Sequence, residues 1–119
     1  MIGGNIKAML QVYTTTKNKI GEPVEQWIDV IELTGFLDLL TGDSKHNTYN
    51  AKMQESTHIF ICDFVLIPEF IEVEGENVPV TTENARMVAK SKRYDVSVID
   101  NPMELDEQLE IYLKYTGGQ

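Results

Sequence analysis

The sequence predicts a mainly β fold: a small antiparallel barrel of about six or seven strands with one long polar loop. Three observations predict it. Apolar and polar residues alternate with period two in run after run. The runs are short, and clusters of Asn, Gly, Pro and Asp that reverse a chain separate them. No stretch carries the 3.6-residue periodicity of a long helix. The 119 residues are expected to form one domain, which at this length buries roughly two thirds of its unfolded surface.

The first run is "NIKAMLQVY", where Ile6, Ala8, Leu10 and Val12 share a face opposite Lys7 and Gln11. "KNKIGEP" then turns the chain. A second strand follows in "VEQWIDVIEL", read with Trp27, Ile31 and Leu33 on one face and Ile28 and Val30 on the other. In "TGFLDLLTGD", Phe36, Leu37, Leu39 and Leu40 fit a helical turn or a strand end, and an irregular continuation of the strand is the preferred reading. Residues 41–54 are polar, with Tyr49 and Met53 the larger apolar groups. A segment that long between strands tends to be functional or disordered.

"STHIFICDFVLI" is the most apolar strand. Pro68 breaks it, and "EVEGENVPV" reads as a turn between short strands. "ENARMVAKSKRYDVSVID" reads as two strands around a basic turn near Ser91, with Tyr94, Val96 and Val98 on one face of the second. "LEIYLKY" closes the chain, with Leu109, Ile111, Leu113 and Tyr115 opposite Glu110, Tyr112 and Lys114. Residues 116–119 read as a frayed tail.

The formal charge of −9 argues against a protein that binds nucleic acid by neutralising phosphates. Charge is uneven along the chain. Leu66 to Asn84 holds five glutamates and no basic residue, and Arg86, Lys90, Lys92 and Arg93 follow at once. Unlike patches of this kind can dock one copy against another. "MIGGNIKAML" lacks the basic start and apolar stretch of a secretion signal. No run approaches the ~20 residues of a membrane span, so the expectation is a soluble chain in the cytoplasm.

Reactive groups are sparse. The lone Cys62 lies in "HIFICDF" and reads as a buried small hydrophobe. His46 and His58 have neither the spacing nor the cysteine partners of a zinc site. Glu69, Glu72, Glu74 and Glu76 lack the register of a calcium loop. Asp38 and Asp43 have no specific signature as an acid and base pair. Trp27 with Tyr13, Tyr94, Tyr112 and Tyr115 reads as packing rather than a base-stacking platform, because basic residues do not interleave with them. No enzyme activity, metal or cofactor is expected.

Laid out in this order, "VYTTTKNKIGEPVEQW", "ESTHIFICDF" and "RYDVSVIDNPMELDEQLEIYLKY" resemble the head-closure, or stopper, proteins of the head–tail connector of tailed bacteriophages. The likeness is to the XkdH/YqbH-type proteins of the defective prophage PBSX. It runs from about residue 5 to residue 115, and its "YDV…DNP" and "LEIYLKY" portions are the most specific. It implies a structural virion protein, a barrel that assembles as a ring below the portal. The implied partners are portal or adaptor rings, tail proteins and other copies of itself, with DNA only passing through the channel. The implied location is the host cytoplasm during assembly and then the virion. By position, Thr41 to Lys52 corresponds to a loop that faces the channel, where Lys45, His46, Tyr49 and Lys52 would contact DNA or a neighbouring copy. Glu72, Glu74 and Glu76 would face Arg86, Lys92 and Arg93 across a subunit boundary. A tail-completion or adaptor subunit is the nearest rival reading. A small nucleic-acid-binding barrel and a small enzyme or ligand-binding barrel are the readings from other classes.

Overall fold

Strong alternation and closely spaced turns leave the chain one economical way to bury its apolar faces, which is to curl a sheet until its edges meet. The computed structural model describes residues 4, 6–17, 19–40 and 55–115. It contains β1 (Ile6–Lys17), β2 (Pro23–Leu39), β3 (His58–Asp63), β4 (Phe70–Val73), β5 (Glu76–Pro79), β6 (Ala85–Ala89), β7 (Lys92–Asp100) and β8 (Gln108–Tyr115). Six of these form a closed antiparallel barrel in the order β1-β2-β3-β8-β7-β6, with β6 pairing back onto β1. The other two, β4 and β5, form a separate hairpin. A 3-10 turn at Pro102–Glu104 joins β7 to β8.

The core is the inner side of the barrel. Ala8, Leu10 and Val12 of β1 meet Phe60 and Cys62 of β3, Met87 of β6, and Leu109, Ile111 and Leu113 of β8. Leu10, Val12, Ile111 and Leu113, the residues on which the alternation pattern rests most firmly, are each 0% exposed. The hairpin packs Val78 into this cluster and lays Ile71 and Val73 against it.

Two faces differ from the simple alternation, for one reason. Leu10 pairs with Ile31 but Gln11 pairs with Asp29, so Val30 is an extra residue in β2. A bulge flips the side-chain phase beyond it. Ile31 and Leu33 therefore sit opposite Leu10 and Ala8 on the inner side, whereas Trp27 pairs with Tyr13 on the outside and Ile28 pairs with buried Val12. Trp27 does not share a face with Ile31 and Leu33. The same happens in β7: Val96 pairs with Leu113 and Val98 with Tyr112, leaving Ser97 unmatched. Tyr94 and Val96 face inward, Val98 is turned outward, and Ile99 takes the inner place opposite Ile111.

β2 is the element that shapes the molecule. Its first part, from Pro23, pairs with β1, and its last five residues, Gly35 to Leu39, pair with β3. "TGFLDL" is thus strand, as its irregular apolar pattern allowed. Gly35 stands where three strands converge, opposite both Ile6 and Cys62. A Cβ there would overlap the Ile61 carbonyl oxygen, so only glycine fits. The "TTTK" that follows Tyr13 is also strand, paired with Pro23–Gln26. Along β1, β6 pairs only with Ala8–Val12. Beyond Val12 the β1–β2 ribbon projects from the barrel as an arm.

Candidate functional site

Glycine and left-handed residues place the charged turns. Val73 and Glu76 are joined by Glu74 (φ 51) and Gly75 (φ 83), the two-residue turn whose twist matches a hairpin. Ala89 and Lys92 are joined the same way by Lys90 (φ 51) and Ser91 (φ 65). The acidic and basic segments of the sequence are thus two hairpin turns. They lie at opposite ends. Ala89 pairs with Ala8, while the tip of the acidic hairpin shares a cleft of about 340 Å³ with Thr15, Thr16, Lys17 and Pro23 at the end of the arm. Lys17 is nine residue steps along β1 from Ala8, a span of about 30 Å at strand rise.

At the acidic end, Glu72, Glu74 and Glu76 are all exposed on the hairpin. At the basic end, Lys92 and Arg93 are exposed. Arg86 stands apart from them. Its Nε donates to Gln11 Oε1 at 2.8 Å, and Gln11 in turn donates to Asp29 at 2.7 Å. Its guanidinium lies 4.0 Å from the centre of the Trp27 ring, and Trp27 meets Tyr13 edge-on at 5.3 Å. Arg86 ties the base of the arm to the barrel, so it is held by its own chain. Burial and then the Arg93 charge lower its pKa from the ordinary arginine value.

The mouth at the basic end carries a group that sequence reasoning missed. His58, Tyr94 and Tyr115 close on one another, with His58 5.1 Å from Tyr94 and Tyr94 5.3 Å from Tyr115. Lys92 Nζ lies 5.8 Å from the centre of the Tyr115 ring. The Thr57 hydroxyl accepts from the Tyr115 backbone N–H and shares a hydrogen bond with His58 Nδ1, each at 2.8 Å. Burial first, and Lys92 second, lower the His58 pKa, with Asp38 pulling the other way. His58 starts β3, Tyr115 ends β8 and Tyr94 lies near the start of β7, and only the cross-strand register brings them together. The imidazole packs edge-on against both tyrosine rings.

The aromatic residues are dispersed: Tyr13 and Trp27 on the arm, Tyr94 and Tyr115 at the mouth, Tyr112 on the outer wall. They do not make one stacking platform. Cys62 is 2% exposed and burial pushes its thiol up to about 11, so it behaves as a core residue. Among the described residues no cluster of His, Cys, Asp or Glu could hold a metal ion, and no helix is long and apolar enough to cross a membrane. Lys45, His46, Tyr49 and Lys52 lie outside the described residues. No protein-family model and no curated protein matches the chain.

Proposed function

We propose that this chain is a structural subunit of a tailed-phage neck, a ring-forming head-closure protein seated below the portal. The observation that carries the reading is the polarity of the barrel. An arm and an acidic hairpin project at one end, and a basic turn flanks the mouth at the other. A connector subunit must hold different rings above and below it, and unlike charged ends suit unlike neighbours. The resemblance of "RYDVSVIDNPMELDEQLEIYLKY" to the closing strand pair of stopper proteins supports the same reading. The portal or adaptor ring, the tail and DNA in transit are the partners it implies.

The test is complementation. Filled heads made without this chain should leak DNA and join no tails, and the purified protein should restore both. Lys92→Glu with Arg93→Glu should lower the yield of complete particles while the barrel melts as the parent does. Heads that stay full and tailed without the chain would overturn the proposal. A tail-completion role would show instead as full heads that fail only at tail joining.

A further inference from the structure

A closed barrel removes the open row of backbone amides that invites another strand. The arm restores one. β6 accompanies β1 only from Ala8 to Val12, and the Tyr13 amide makes the last bond on that side, to the Asn84 carbonyl at 2.8 Å. Backbone groups of an antiparallel strand turn alternately to its two edges. Thr15 and Lys17 therefore present their amides and carbonyls on the same edge as Tyr13, while Thr14 and Thr16 turn toward β2. Among the described residues no backbone group outside β2 bonds Thr15 or Lys17.

Beyond this edge stands the acidic hairpin, and it does not fill the place of a strand. β4 and β5 pair with each other and not with β1. The two are separated by the cleft of about 340 Å³, with Thr15 and Lys17 on one bank and Val73, Glu74 and Glu76 on the other. The edge is also chemically open. Tyr13, Thr14, Thr15 and Thr16 are aromatic or β-branched, the residue types that pair well in sheets, and no charge interrupts them before Lys17. β2, the other strand of the ribbon, carries Glu25, Asp29 and Glu32, and charges of that kind blunt an edge.

We propose that the Tyr13–Lys17 edge receives an extended, basic segment of another protein, which adds to the arm as a third strand. Backbone bonds to Thr15 and Lys17 would hold such a segment, and its alternate side chains select it. Glu74 and Glu76 outweigh Lys17 around the cleft, so lysine or arginine at the positions nearest the hairpin suits the site. A second copy's arm is a poor occupant. It would carry its own Glu74 and Glu76 into the same cleft, which like-charge repulsion opposes. The inference stands on the geometry of the arm and not on the connector reading.

The probe is a short synthetic peptide of alternating valine and lysine, titrated into the isotopically labelled full chain and followed by amide NMR. The Thr15 and Lys17 amides should shift, and their exchange with solvent should slow about tenfold. The same peptide with glutamate for lysine should bind about tenfold more weakly, the effect of ~1.4 kcal/mol of lost attraction. Glu74→Lys with Glu76→Lys should reverse that order. N-methylation of every peptide amide should abolish binding, because strand addition needs those donors. Thr15→Pro should abolish it as well while the barrel melts like the parent, since proline is tolerated where a strand N–H faces outward. Shifts that leave Thr15 and Lys17 unmoved would overturn the inference. Equal binding of the acidic peptide, or binding that survives N-methylation or Thr15→Pro, would overturn it too. Exchange at Thr15 that slows with protein concentration alone would give the edge to a second copy instead. None of these outcomes bears on the rescue of tailless heads, so the connector reading stands or falls by complementation.

Discussion

Ile111 shows what a single position contributes. It is 0% exposed and faces Phe60 on β3 and Ile99 on β7. An aspartate there would bury an unpaired charge or a neutral acid without partners, at a cost of several kcal/mol. Small domains hold about 5–15 kcal/mol in total. Ile111→Asp should therefore lose the cooperative denaturant transition at room temperature, and a variant that melts like the parent would refute the core assignment. His58 is a subtler case. Its folded pKa lies below the ordinary 6.5 because burial and Lys92 disfavour the imidazolium. The unfolded chain then binds the proton more readily, so stability rises with pH across this window. The His58 contribution is complete above pH 6.5 and is lost as pH falls through the lower folded value. An NMR titration should place the His58 midpoint below 6.5, and Lys92→Ala should move it up. A midpoint unmoved by that change would remove Lys92 as a cause.

Turns and bulges are where the elements depart from ideal strands. Lys90 and Ser91 both hold positive φ, 51 and 65, without a glycine. That conformation costs an L-residue roughly 1 kcal/mol each. Replacing the pair by Asn-Gly should stabilise the fold by about 1 kcal/mol and raise the melting temperature several degrees. The acidic turn has its Gly75 already in the left-handed place, so only Glu74 (φ 51) carries that cost there. The bulges at Val30 and Ser97 have a different role. Each adds twist to a long strand that must wrap a narrow barrel, and each turns the apolar face over partway along. They are the reason Trp27 and Val98 stand outside.

At the scale of the molecule the barrel and its arm should differ in stability. Residues 8–12 of β1 are bonded on both sides, by β2 and β6, while 14–17 are bonded to β2 alone. A ribbon paired on one edge opens more easily than a strand in a closed sheet. Amide exchange should be slowest at Ala8, Leu10, Ile111 and Leu113 and faster by orders of magnitude at Thr14–Lys17. Uniform protection along β1 would show that the acidic hairpin clamps the arm across their shared cleft. The same separation of rigid barrel and projecting arm suits a protein held between neighbours.

The division between sequence and structure follows from the range of the forces involved. Period two identified the strands and the inner residues of β1 and β8, because side-chain direction in a strand depends on immediate neighbours, and local composition marked a turn within "EVEGENVPV" and the buried state of Cys62. Apolar residues on both faces of β2 marked a central or curled strand, and β2 does lie between β1 and β3 in the barrel. Local pattern was blind to the bulges, since one extra residue leaves the hydropathy of a run unchanged and reveals itself only against the partner strand. Nor could it bring His58, Tyr94 and Tyr115 to one mouth, or set the acidic turn and the basic turn at opposite ends. Neighbouring segments in the sequence were separated by the path of β6. These features depend on register between strands many residues apart, and register is decided by the closing of the barrel as a whole.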